Sequence, residues 1–166
     1  MSGFRIESSG IKNGRFDLIY GRHGKCDDKG MAITSPAIKF CNAPKGTKSF
    51  AIVLEDKDAF GVSGFSWVHW TACNIHSDLE DDASRTRNDF IQGVNSWISI
   101  QGGRRNRDEV SCYGGMAPPD KEHFYEIHAY ALDCDLPLKK GFLMNELYHA
   151  MKGHILASDT IGGWYY

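Results

Sequence analysis

Ser49-Phe50-Ala51-Ile52-Val53-Leu54-Glu55-Asp56-Lys57-Asp58-Ala59 is an apolar run that ends in three acids, of which Asp56 and Asp58 are spaced two residues apart. Side chains two apart on a strand project from the same face. Ile52, Leu54 and Asp56 therefore share a face, and Asp56 continues an apolar surface instead of a polar one. Two later runs repeat the device. Phe65-Ser66-Trp67-Val68-His69-Trp70-Thr71-Ala72-Cys73-Asn74-Ile75 places Trp67 and His69 on one face. Glu122-His123-Phe124-Tyr125-Glu126-Ile127-His128-Ala129-Tyr130-Ala131-Leu132-Asp133 does the same for His123 and Tyr125, with His128 on the opposite face. Side by side, these strands gather carboxylates, imidazoles, an indole and a phenol into one patch. Such groups are costly in buried strands unless they serve a site or a satisfied network.

Around these runs, strand signals dominate the first three quarters of the chain. Phe16-Asp17-Leu18-Ile19-Tyr20 and Ala37-Ile38-Lys39-Phe40 read as short strands, and Pro44-Lys45-Gly46-Thr47-Lys48 as the turn that launches the Phe50–Leu54 strand. Residues 76–122 carry few periodic signals, and much of 84–119 reads as a Gly- and Arg-rich loop. A connection of that length inside a compact domain is usually functional or hides missed elements. Gly141–Met151 has the one convincing helical period, through Phe142, Leu143, Leu147, Ala150 and Met151, and Gly153 ends it. His154–Ala157 and Thr160–Tyr166 read as two closing strands. Many strands with a late helix indicate an antiparallel β architecture and exclude a βαβ nucleotide-binding fold.

With 166 residues the chain suits a single domain, 1–166, with a sizeable core. A net charge of -2 argues against nucleic acid or an anionic membrane surface as partner. Arg104-Arg105-Asn106-Arg107 is balanced at once by Asp108-Glu109 and reads as a solvated loop. The five cysteines (Cys26, Cys41, Cys73, Cys112, Cys134) are odd in number, scattered, and without Cys-x-x-Cys spacing. They read as reduced thiols of a cytosolic protein. Met1-Ser2-Gly3-Phe4-Arg5-Ile6-Glu7 lacks the basic and apolar regions of a signal peptide, and no run reaches the roughly 18 apolar residues of a membrane span. A cytoplasmic protein without integral membrane association is expected.

Four segments, in order, resemble the phosphatidylethanolamine-binding protein family, in its bacterial and archaeal Raf kinase inhibitor-like branch. The family's Asp-Pro-Asp-Ala-Pro run appears as Asp56-Lys57-Asp58-Ala59-Phe60, and its Trp-x-His-Trp as Trp67-Val68-His69-Trp70, followed by Asn74-Ile75. Its Tyr-Gly-Gly-x-x-Pro-Pro loop is Tyr113-Gly114-Gly115-Met116-Ala117-Pro118-Pro119. Its His-x-Tyr strand starts at His123 and closes on Tyr130-Ala131-Leu132-Asp133. The resemblance covers residues 16–166. It implies a mainly β fold, an antiparallel two-sheet β domain with a C-terminal helix. It also implies a non-catalytic pocket for a small anion or phosphorylated head group, with no cofactor.

Carried over position by position, the pocket would be built from Asp56, Asp58, Trp67, His69, Gly114, Gly115, Pro118, His123 and Tyr125. Asp56 corresponds to the pocket acid. His69 and His123 would donate N–H groups to the anion as imidazolium ions. Trp67 would form an apolar wall and Tyr125 a phenolic floor. Gly114-Gly115 would let backbone amides approach the ligand, and Pro118-Pro119 would stiffen that loop. Lys57 and Phe60 stand where the family has prolines, and Phe60 offers an aromatic wall instead. The alternative function is regulation of a kinase or protease through contacts around the pocket, and a homodimer stays open. A metal site from the histidines and acids is disfavoured because no compact ligand spacing is present. A hydrolase lacks the Gly-x-Ser-x-Gly elbow. Cys112 beside the glycine loop is a nucleophile only in an outsider reading, in which it works with a histidine.

Overall fold

The computed structural model describes residues 3–166; Met1 and Ser2, part of the segment read for a signal peptide, lie outside the described residues. Nine strands run in the order β1 (Arg5–Glu7), β2 (Ile11–Lys12), β3 (Arg15–Phe16), β4 (Lys39–Cys41), β5 (Ser49–Asp56), β6 (Trp67–Ile75), β7 (Ile91–Gln92), β8 (His123–Leu132) and β9 (Ile155–Tyr165). Three helices interrupt them: α1 (Phe60–Ser63), α2 (Ala83–Thr86) and α3 (Met144–Met151). β1 and β4 form a two-stranded ribbon, and the other seven make a sheet in the order β2-β3-β9-β8-β5-β6-β7. All pairings are antiparallel except the short contact of β3 with β9.

The unbroken apolar run of β5 follows from its central place, because both faces of the sheet are covered there. Ile52 and Leu54 pack with Trp70, Tyr125, Ile127 and Ile6 of the ribbon. Ala51 and Val53 pack on the other face with Leu136, Phe142, Leu147 and Met151, the last two from α3. A strand covered on both sides loses the in-out alternation that a half-exposed strand shows. Such full burial is worth roughly 1.5–3 kcal/mol for each large aliphatic side chain.

Three local expectations are corrected. Residues Phe16–Tyr20 are not one strand: the Asp17 carboxylate accepts from the Ile19 amide at 3.1 Å and caps a 3-10 turn over Leu18–Tyr20, the competition that short acidic side chains offer to strand pairing. The helix begins at Met144 and not at Gly141, because Gly141 takes φ +84° and donates its amide to the Gln92 carbonyl of β7. The two closing strands are one eleven-residue strand, β9, paired with β8 from His123↔Tyr165 to Leu132↔Ile155. Its Gly162 is needed for that pairing, since a Cβ there would fall 2.5 Å from the Phe124 ring. The 84–119 stretch holds only α2, β7 and a 3-10 turn over Ser96–Ile98, started by the Asn95 side chain accepting from the Trp97 amide.

Candidate binding cavity

The three runs come together at the end of the central strands. Asp56 on β5 stands in register with Trp67 on β6 and with Tyr125 on β8. On β6, Val68 opposes Glu55 and Trp70 opposes Leu54, so His69 is the extra residue of a bulge. The bulge lets Trp67 and Trp70, three apart, turn toward the same side, a re-aiming that bulges commonly perform beside functional sites.

A surface cavity of about 280 Å³ lies over this junction. Asp56, Trp67, His69, Pro118, His123 and Tyr125 line it, as do Ala59, Val62 and Ser63, Trp97 and Gln101, and Ala117 and Pro119. Phe65 stacks on Trp67, and Trp97 meets Trp67 edge-on at 5.1 Å between ring centres. The wall therefore combines the rings of Trp67, Trp97 and Tyr125 with the polar side chains of Asp56, Ser63, His69, Gln101 and His123.

His123 is fully buried and has no free donor. Its Nδ1–H donates to Asp56 Oδ2 at 2.7 Å and its Nε2–H to Asp120 Oδ1 at 2.8 Å. Both partners are carboxylates, which when ionised only accept, so the two bonds favour the doubly protonated imidazolium. Burial opposes the charge, but the bonds to Asp56 and Asp120 outweigh it and hold the His123 pKa above its ordinary value. Asp56 in turn accepts the Ala59 amide through Oδ1 at 3.1 Å. For Tyr125, burial pushes the phenol well above its usual pKa, reinforced by the neighbouring Asp56 charge.

His69 is different. Its Nδ1–H donates to the Gly114 carbonyl at 2.6 Å, while Nε2 is buried with no hydrogen-bond partner. Burial dominates and lowers its pKa to about 4. At neutral pH the ring is uncharged and Nε2 is a bare acceptor. The Trp67 indole N–H is likewise buried and unpartnered. Two residues of the cavity wall thus carry buried polar atoms without a hydrogen-bond partner, one an acceptor and one a donor, whereas buried polar groups are usually paired.

Several expected site residues take other work. Asp58 does not line the cavity; its Oδ2 accepts the Phe124 amide at 2.8 Å and ties the β5 end to β8. The amides of Gly114 and Gly115 are used internally, donating to the His69 carbonyl at 2.9 Å and the Ala32 carbonyl at 2.8 Å. These glycines are required by close packing: a Cβ on Gly115 would strike the Tyr20 carbonyl oxygen, and one on Gly114 would lie 2.8 Å from Met31 Sδ. Pro118 is in the wall, and no cis peptide occurs among the described residues. Phe60 is 67% exposed and is not the wall; Val62 and Ser63 of the same helix are. Cys112 donates to the Glu109 carbonyl, lies outside the cavity, and is pushed up to about 11 by burial, the opposite of an activated thiol.

Sequence reading missed Trp97, Gln101, Val62 and Asp120. Asn95-Ser96-Trp97, a capping residue before an aromatic in the long loop, was the available signal for the first. Two trios of metal-ligating side chains occur among the described residues, Asp133/Cys134/His154 and Glu55/Glu126/His128, neither of them in the cavity wall. Their side chains already have partners, His154 with Asp133, His128 with Glu55, and Glu126 with Lys57.

The sequence profile of the phosphatidylethanolamine-binding protein family matches residues 8–166. The chain belongs to this family. An uncharacterized protein of Bacillus subtilis, YxkA, is 44% identical over 137 residues, 80% of this chain and 82% of that one. Among solved structures, a phosphatidylethanolamine-binding protein homologue from Chlamydia trachomatis superposes with a TM-score of 0.80 at 28% identity, covering 100% of this chain and 99% of that one. Escherichia coli YbcL, described as a member of the mammalian family, superposes with a TM-score of 0.76 at 27% identity, covering 99% and 98%. The mainly β, two-sheet fold with its C-terminal helix is that of these family members. No helix among the described residues is long and apolar enough to cross a membrane.

Proposed function

We propose that this protein binds a small phosphate-bearing ligand, such as a phosphorylated head group, in the cavity and carries out no chemistry on it. The observation that supports this most is His69 Nε2, buried in the cavity wall without a partner. With the Trp67 N–H it offers one acceptor and one donor, the complement of a singly protonated oxyanion, whose O–H donates and whose other oxygens accept. The aromatic wall suits the ligand's organic part. This replaces the expected pair of cationic donors: His69 is neutral near pH 7, and both His123 donors face carboxylates.

The reading makes binding proton-coupled. The complex holds one proton between the ligand and His69 Nε2, while free His69 and, above about pH 6, the free phosphate monoester lack it. Affinity therefore rises as pH falls from about 8 toward 6. Calorimetry of phosphorylethanolamine at three pH values, repeated in buffers of differing ionisation enthalpy, checks this. Uptake of about one proton on binding at pH 8 is expected, and His69→Ala should abolish measurable affinity. Affinity independent of pH, or undiminished in His69→Ala, overturns it.

A second reading, regulation of a kinase or protease, draws on the exposed Phe60, Ile98 and Ile100, which are close in sequence to the wall residues Val62, Trp97 and Gln101. Substituting these three by serine would abolish inhibition of such a partner while leaving phosphorylethanolamine binding intact.

A further inference from the structure

One imidazolium, His123, lies between two carboxylates, and the two are not equivalent. Asp56 is 3% exposed, belongs to a central strand, and is held a second time by the Ala59 amide. Asp120 sits on the turn that follows the wall residues Pro118 and Pro119. Its side chain is 43% exposed, and its bond to His123 Nε2 spans only three residues. The Asp56 charge alone neutralises His123. Asp120 is surplus, and it places a net negative charge beside a cavity that is read as taking an oxyanion. Opposite charges in hydrogen-bond contact attract strongly, but rotating an exposed carboxylate into water has little desolvation cost to overcome.

We propose that Asp120 is an internal competitor for the ligand: its carboxylate holds the outer N–H of His123, and a bound phosphate group displaces it and takes that donor. This deepens the proposed function and rests on it. The tethered carboxylate is present at a high effective concentration. An anion with no other contacts therefore binds weakly, and one whose organic part also meets Trp67 and Trp97 overcomes the competition. Asp120 acts here as a specificity-determining residue, setting how much additional contact a ligand must make.

The test titrates inorganic phosphate and phosphorylethanolamine into wild type, Asp120→Ala, Asp120→Asn and Glu122→Gln. Calorimetry gives affinity, and nitrogen NMR of the imidazoles reports on His69 and His123 separately. Asp120→Ala should bind both probes about tenfold more tightly, the scale of one charge-assisted hydrogen bond. Asp120→Asn keeps an acceptor without its charge and should fall between. Glu122→Gln removes an equal charge nearby, one already paired with Arg15 at 2.7 Å, and should gain less than twofold. In wild type, phosphorylethanolamine should shift the His123 Nε2 resonance as well as that of His69. Unchanged or weaker binding in Asp120→Ala, or an equal gain in Glu122→Gln, overturns the competitor while wild-type shifts at His69 leave the binding reading standing. Absence of binding by both wild type and Asp120→Ala at millimolar probe overturns the two together.

Discussion

His69 and His123 line one cavity from the strands on either side of Asp56, and they are 3% and 0% exposed. Burial nonetheless has opposite outcomes at the two. On the β8 side, two carboxylates meet the ring nitrogens and the imidazole keeps its charge. On the β6 side, no carboxylate touches the ring, whose Nδ1–H meets the Gly114 carbonyl, and desolvation drives the ring neutral. The difference teaches that the degree of burial does not set a histidine's state. Burial opposes the charge on both rings, and it is overcome only at His123, where carboxylates meet both ring nitrogens. One side of the cavity is thus a closed ionic network, and the other has an open acceptor.

The largest expected effect breaks the closed side. His123→Leu leaves Asp56 buried without a counter-charge and should destabilise the fold by about 3–5 kcal/mol. His69→Leu removes a neutral ring, leaves only the Gly114 carbonyl unsatisfied, and should cost about 1–3 kcal/mol. Urea unfolding at pH 7 measures both, and equal losses would dissolve the contrast.

The pH dependence of stability sharpens it. His69 has a folded pKa of about 4 against roughly 6.5 unfolded. Its neutral form is favoured by folding, so its contribution is present above pH 6.5 and is lost as pH falls through about 4, a change of roughly 3 kcal/mol. His123 has its folded pKa raised. Its contribution is complete below about pH 6.5 and is lost as pH rises through the folded value. Measured as differences from wild type, His69→Leu should flatten the acid limb of the stability profile and His123→Leu the alkaline limb. The reverse assignment would show that the charge states are exchanged.

The most local of these effects displaces the His69 side alone. Gly115→Ala drives a methyl against the Tyr20 backbone and Ala32, which should cost about 1–3 kcal/mol and shift the adjoining Gly114 carbonyl. The His69 imidazole resonances should move and those of His123 should stay. Equal movement at both rings would mean that the two sides are mechanically one.

Much of this architecture was readable in the chain. The period-two runs carry their own orientation, so Asp56, Trp67, His69, His123 and Tyr125 could be assigned to one patch, and His128 to the other face, where it meets Thr160 and Glu55. Helix boundaries and the Asp17 turn were less readable, because they depend on single side-chain bonds and on a glycine held against β7. Asp58 was misplaced for a similar reason: strand parity sets it on the same face as Asp56, but the strand ends between them and the carboxylate turns to the Phe124 amide.

Composition and alternation were sufficient for the β class, the late helix and the strand-borne residues of the cavity wall, since those depend on properties each residue carries with it. Which nitrogen is free, which ring is charged and which acid can leave were decided only by folding. His69 meets a carbonyl 45 residues away and His123 a carboxylate 67 residues away. Proton affinity and hydrogen-bonding capacity belong to such contacts, and no local pattern in the chain encodes a contact of that range.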